Sequence, residues 1–286
     1  MMSARAVKKA VLLVAGLGTR FLPLSKTISK ELWPLLNRPI VDYIIDEIKS
    51  SGIKEIIFVI SPENKILRSY LRRNLKVEEI LKEKGKKEIL KDFQKHERSF
   101  QGLFLSFVCQ KKPLGLGDAI LQTKSKVGKH PFIVCFNDDV IVSSTSCLLQ
   151  LIKVFEKYGK TVIAIKRVPK ERVGFYGSLK VKKVGPRLYQ IKGIIEKPRP
   201  GEAYSNLVVD GRYLLTSEVF DYLGKPGSFF QGEIILANTL EQMIKAGIIV
   251  YGYEFEGKWL ECGNVQNWLK SNLYLAKREF KNFKQN

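Results

Sequence analysis

The sequence predicts an α/β protein: a Rossmann-like, three-layer α/β/α domain with a mixed, mostly parallel central sheet and a smaller antiparallel insertion in its second half. Three observations lead there. Short apolar runs alternate with stretches whose apolar residues recur every three to four positions, as when strands are covered by helices on both faces. A glycine-bearing loop follows the first apolar run directly, at the kind of strand tip that faces ligands in such sheets. After Val168 the alternation gives way to strand-like stretches joined by turns. No Pro/Gly/Ser-rich linker and no internal repeat divides the 286 residues. They read as one domain, 1–286, with halves at 7–168 and 169–286.

Taken in order, Ala10–Val14 is an apolar run and a buried strand. Pro39–Ser51 places Ile40, Ile44, Ile45 and Ile48 on one helical stripe. Lys54–Ile60 is the second strand, and Glu63–Asn74 and Val77–Glu97 have helical spacing. Leu103–Cys109 alternates as a strand, Gly115–Lys126 is a helix, and Phe132–Phe136 is a buried strand ending in Asn137-Asp138-Asp139. Thr145–Tyr158 is a helix with Leu148, Leu151, Ile152 and Phe155 on one side, and Thr161–Val168 is a strand. In the second half Gly174–Val184, Leu188–Glu196 and Asn206–Leu215 are the antiparallel strands. Ser217–Tyr222 and Gly232–Ala246 are helical, Ile248–Phe255 is a strand and Asn264–Phe280 a closing helix.

Several function classes are set aside by composition. No apolar run approaches the roughly 18 residues of a membrane span. The charged opening "MMSARAVKKAVLLVAG" ends its apolar run at Gly16, short of the roughly 7–15 residues of a signal peptide's core, so a cytoplasmic protein is expected. Cys109, Cys135, Cys147 and Cys262 form no C-x-x-C pair, which points to neither a zinc site nor a disulfide framework. Cys109 and Cys135 are expected in the core. His96 and His130, the two histidines, are expected at the surface, which leaves little room for histidine chemistry. The net charge of +21, from 49 basic and 28 acidic residues, suits polyanionic partners. But acids are mixed in with bases through Leu67–Arg98, as on a solvated helical face, and no RNA-binding aromatic signature is present. No specific nucleic acid is expected.

The loop "VAGLGTRFLPLSKTISKELWPL" (Val14–Leu35) carries the first chemical signal. A dinucleotide fingerprint needs a third glycine where Phe21 stands, and a P-loop fails at the same residue. Gly16 and Gly18 still let backbone approach a ligand, and Arg20 and Lys30 can reach an extended polyphosphate. A tight packing turn is the plain alternative. Asp138 and Asp139, at the tip of an apolar strand, suit Mg2+, a hard ion that usually takes one or two carboxylates; a helix cap or turn is the alternative. Glu196 can accept hydroxyl hydrogen bonds, and Lys197 can hold a phosphate as a point charge. A surface ion pair would explain both equally well. Glu261 in "KWLECGN" is either a second metal carboxylate or the start of the last helix. Gln110, before the turn at Gly115, offers an amide that matches the imide edge of a pyrimidine; a helix start eased by the glycine is the plain alternative.

Together these stretches resemble the nucleotidyltransferases that make sugar nucleotides, and among them the bacterial UTP–glucose-1-phosphate uridylyltransferases. The carriers are the G-x-G-T-R…P…K-E loop, "PLGLGDAIL", "NDDV", "EKPRPGEAYSNLVVDGRYLLT", "QGEI" and "ECGN", in the family's order across about Val7 to Ala276. The resemblance implies uridylyl transfer from UTP to glucose 1-phosphate, with Mg2+ and in a homo-oligomer, dimer or tetramer. Residues 7–168 would be its nucleotide-binding half and 169–286 its sugar-phosphate half, so that the antiparallel insertion is the sugar-binding part. Ala15, Gly16 and Gly18, with Arg20 and Lys30, then match the triphosphate cradle. Gln110 and Gly115 match the base-reading positions, with Asp139 on the nucleotide side. Asp138 and Glu261 match the metal positions. Tyr176–Gly177 and Glu196 match the sugar side, and Lys197 the sugar phosphate. Arg20, Lys30 and Lys197 would be the catalytic cations. The sequence departs from the pattern at Ser29 (usually Pro), Asn137, Ile235, Asn238 and Glu261 (usually Asp). The reading leaves open a thymidylyltransferase, a uridylyltransferase for another sugar phosphate, and a non-catalytic nucleotide- or RNA-binding member of the fold.

Overall fold

The structure, a computed structural model, describes residues 7–280. The chain's first six and last six residues, including the charged start of the opening segment, lie outside them.

Strand β1 (Lys9–Val14) leads into the glycine loop, and β2 (Pro34–Leu35) and β3 (Arg38–Pro39) form a small hairpin before helix α1 (Ile40–Ser50). Next come β4 (Glu55–Ile60), α2 (Lys65–Tyr70), α3 (Leu75–Glu83), α4 (Lys87–Ser99), β5 (Phe104–Cys109), α5 (Gly115–Leu121) and α6 (Lys124–Val127). Then follow β6 (Phe132–Phe136), β7 (Asp139–Val142), α7 (Cys147–Tyr158) and β8 (Thr161–Arg167). The second half has β9 (Gly177–Gly185), β10 (Leu188–Glu196), β11 (Leu207–Leu215), β12 (Phe229–Phe230), β13 (Glu233–Ile234), α8 (Leu236–Lys245), β14 (Val250–Glu254), β15 (Lys258–Glu261) and α9 (Val265–Glu279).

Nine of these strands form one mixed sheet in the order β5-β4-β1-β6-β11-β8-β14-β10-β9. β1 lies parallel between β4 and β6, so Val14, Ile60 and Phe136 end on the same edge. The period-2 side-chain alternation of β1 divides its apolar residues between two cores. Ala10, Leu12 and Val14 pack with α1 and α7 on one face. Val11 and Leu13 pack with α5 and α8 on the other. Each fully buried Leu or Ile contributes about 1.5–3 kcal/mol, so both faces hold the sheet in place.

The antiparallel strands expected as an insertion make no separate sheet. β9 and β10 extend the main one, and β9 turns back to pair with β11 at Ser178–Val208. Register shifts at Val209–Tyr213 in β11 and Ile191–Gly193 in β10 supply the bend.

Other boundaries moved for local reasons. The single helix expected over Val77–Glu97 breaks at Gly85, which has φ 65°, into α3 and α4. Gly115–Lys126 divides into α5 and α6 around Gln122–Thr123. Ser217–Asp221 is a 3-10 turn. The pairing of β7 with β15 was not foreseen, because each is too short to show a period. Cys109 is exposed, at the end of a strand that β4 alone covers, while Cys135, Cys147 and Cys262 are buried. His96 is half-buried and tied through Nε2 to Asp42 (2.8 Å) and Tyr70 (2.9 Å), so only His130 is a plain surface histidine. Among the described residues no helix is long and apolar enough to cross a membrane.

Candidate active site

One cleft of about 320 Å3 gathers Arg20, Lys30, Asp138, Asp139, Gly177, Glu196, Lys197 and Glu261. A larger cavity, about 680 Å3, runs beside α1, β7 and α9, and no sequence-predicted site residue lines it. The cleft is where the charge is.

The glycine loop forms its first wall. Gly18 takes φ 63°, a left-handed turn that suits glycine, and swings the chain so that Arg20 and Lys30 face Asp138. Lys30 Nζ donates to Asp138 Oδ2 at 2.7 Å, and Arg20 Nη1 donates to the Gly263 carbonyl at 3.4 Å. Glu31, fully buried, anchors the loop from beneath. It accepts from Asn64 Nδ2 at 2.6 Å and from Asn137 Nδ2 at 3.2 Å. Burial raises its pKa against those bonds. No local pattern marks Glu31: it follows Ser29 and Lys30 in a polar loop, and its partners Asn64 and Asn137 come from elsewhere in the chain.

β6 ends at the floor. Burial opposes the charge on Asp138, but Lys30 and Arg20 outweigh it and hold the carboxyl below its ordinary range. Asp139 goes the other way: burial, then Asp138 beside it, push it up to about 7. Trp259 Nε1 donates to Asp139 Oδ1 at 2.7 Å. Arg212, with no exposed surface, donates to the Asp139 carbonyl at 2.6 Å and to Glu47 at 3.0 Å. Next to them Asp210 is 1% exposed, and neither of its carboxylate oxygens has a hydrogen-bond partner among the described residues. Burial first, then Asp139, raise it well above the usual carboxylate range. Asp210 and Arg212 went unremarked in the sequence because an alternating strand gives no sign of which charges end up covered.

β9 and β10 form the far wall. Lys197 follows β10 with φ 44°, its N–H donates to the Tyr176 carbonyl at 3.0 Å, and its ammonium is 3.8 Å from Glu196. β15 brings Glu261, whose carboxylate meets four hydrogen bonds. Arg172 Nη2 lies 2.7 Å from Oε1 and 2.8 Å from Oε2, Tyr176 OH donates to Oε1 at 2.7 Å, and Asn267 Nδ2 donates to Oε2 at 2.8 Å.

Ala15, Gly16, Gly18, Gln110 and Gly115 do not line this cleft. They stand at the neighbouring tips of β1 and β5. Gln110 is buried, and its Nε2 donates to the Gly115 carbonyl at 3.0 Å and to Asp118 at 2.8 Å. Its amide donor is therefore used internally, which leaves the Oε1 acceptor to face a ligand.

The carboxylates offer hard oxygen donors. Among the described residues no three Asp, Glu, His or Cys side chains converge as a ready-made metal cage. One or two carboxylates, with water and phosphate oxygens, are what Mg2+ usually takes, and Asp138 and Glu261 on one cleft fit that set.

Residues 9–278 match the family model described as Nucleotidyl transferase. UTP–glucose-1-phosphate uridylyltransferase 2 of Staphylococcus saprophyticus is 36% identical over 275 residues, 96% of this chain and 94% of that protein. A solved apo UDP-glucose pyrophosphorylase superposes with TM-score 0.89 at 31% identity, covering 96% of this chain and all of that one. A UTP-bound UGPase from Acinetobacter baumannii gives TM-score 0.87 at 33% identity over 96% of this chain and 95% of its own.

Proposed function

Because the chain belongs to the nucleotidyl transferase family, and within it to the UTP–glucose-1-phosphate uridylyltransferases, we infer that it joins UTP to glucose 1-phosphate, giving UDP-glucose and pyrophosphate. The observation that carries the assignment of its cleft is that Arg20, Lys30, Asp138, Lys197 and Glu261, far apart in sequence, line one cavity.

In this reaction a sugar-phosphate oxygen attacks the α-phosphorus of UTP, in line with the departing pyrophosphate. The attacking oxygen is already anionic near pH 7, so no general base is required, in keeping with a cleft that holds no histidine. What remains is to bring two anions together, whose repulsion is large in a water-poor site. Lys197 holds the sugar phosphate, while Arg20 and Lys30 hold the triphosphate against the β1 loop. Lys30 and Arg20 are already fixed by Asp138 and Gly263, so little reorganisation is left for the transition state. Glu196 and Gly177 face the sugar. Gln110 Oε1 accepts the imide N–H of uracil beside Gly115, and Ala15, Gly16 and Gly18 bring backbone N–H groups to the phosphates.

Members of this family typically use a divalent metal. We assign Mg2+, held by Asp138 and Glu261 with Asp139 behind them. When bound, it neutralises charge on the phosphates. Tests are direct. A pyrophosphate-release assay over a panel of nucleoside triphosphates and sugar 1-phosphates, with and without Mg2+, should show a preference for UTP and glucose 1-phosphate and loss of turnover in EDTA. Preference for dTTP would move the chain to thymidylyl transfer. A cytoplasmic homo-oligomer completes the proposal, with light scattering of the purified protein as its check.

A further inference from the structure

Glu261 is satisfied in an unusual way. A single nitrogen, Arg172 Nη2, bridges both carboxylate oxygens at 2.7 and 2.8 Å, in place of the two-nitrogen fork that guanidinium–carboxylate pairs commonly form. One positive centre therefore meets both oxygens of the carboxylate that would help to hold the divalent cation. Tyr176 and Asn267 hold the carboxylate from its outer sides, so its orientation does not depend on Arg172 alone.

Arg172 is also built to leave. It sits on the short 3-10 turn Lys170–Phe175, its side chain is 41% exposed, and Glu261 is its one carboxylate partner among the described residues. A side cavity of about 290 Å3 opens behind Glu261, lined by Arg172 with Lys258 and Lys270.

Resting on the reading of Glu261 as a metal carboxylate, we propose that Arg172 is a positioning residue that holds the place of the divalent cation on Glu261. It lowers the protein's affinity for free metal, so that the metal arrives with the triphosphate. Without nucleotide, a divalent ion must displace Arg172; with it, phosphate oxygens add the ligands that make displacement favourable. Arg172 also donates to Tyr176 OH, so its release loosens the wall next to Gly177, where the sugar phosphate enters.

The test is Mn2+ binding to the full-length, nucleotide-free protein, followed through the electron paramagnetic resonance signal of free Mn2+. Arg172→Ala should bind Mn2+ about threefold to tenfold more tightly than wild type, the range expected for losing a partly exposed ion-pair competitor. Arg172→Lys, which keeps a point cation, should bind like wild type. Adding Glu261→Gln to Arg172→Ala should abolish the gain. If Arg172→Ala does not fold, Arg172→Gln carries the same expectation. Unchanged or weaker Mn2+ binding in the neutral variant overturns the proposal, as does a gain that survives Glu261→Gln. Pyrophosphate release by the wild-type protein reads the reaction separately, so a negative metal result leaves the assigned activity standing.

Discussion

Lys197 adopts a left-handed backbone that lysine seldom takes. Such strain persists where the surroundings fix it, and it gathers at functional sites. Here the Lys197 N–H to Tyr176 carbonyl bond fixes it and turns the ammonium into the cleft. Lys197→Ala should lower turnover by about a hundredfold to a thousandfold, the range for losing one preorganised charge partner in a transition state. The pyrophosphate assay measures this, and near-normal turnover would remove Lys197 from the machinery. At this scale the sequence showed which side chains have the right chemistry, since charges at the ends of apolar runs are legible. It did not show Asp210, Arg212, Arg172 or Glu31, because partners from distant segments, such as Glu261 for Arg172 and Glu47 for Arg212, or buried layers decide how a charge is satisfied.

At the scale of elements, α5 packs so closely on β13 that a side chain has no place at the contact. A Cβ on Gly117 would lie 2.3 Å from Ile234 Cγ2 and 2.8 Å from the Ile234 carbonyl oxygen. The Ile234 N–H in turn donates to the Leu114 carbonyl at 2.8 Å. Gly117→Ala should therefore destabilise the fold by about 1–3 kcal/mol, the usual overpacking range, and move the β5–α5 turn that carries Gln110. Urea unfolding gives the stability, and KM for UTP should rise more than kcat falls. The long, strongly periodic elements were readable in the sequence: β1, α1, β6 and α7 lie within a residue or two of where periodicity puts them. β7, β13 and β15 were not, because strands of two to four residues are stabilised by the partner they meet and not by their own pattern.

At the scale of the whole molecule, buried charge makes stability depend on pH with a definite sign. Asp139 ionises near 3.8 when unfolded but near 7 in the fold. Its contribution to stability is complete below pH 3.8 and is lost as pH rises through about 7. Asp210, raised by burial, acts in the same sense, as does His96, raised by its hydrogen bond to Asp42. Asp138, held low, opposes them only below its ordinary 3.8. In metal-free buffer the urea midpoint should be higher at pH 5.5 than at pH 8.5, and Asp210→Asn should shrink that difference; a flat profile would mean these carboxyls are not desolvated. The sequence by itself determined the alternation of strands and helices, the two-faced sheet and the identity of the charged tips, because hydrophobic period and turn chemistry are local. Only the tertiary structure decided that β9 curls back to β11 and brings Lys197 towards Asp138. It alone decided that Arg172 bridges Glu261 and that Asp210 is buried with no hydrogen-bond partner among the described residues. Those outcomes depend on sheet register and burial, which arise when distant segments meet and are written in no single stretch of chain.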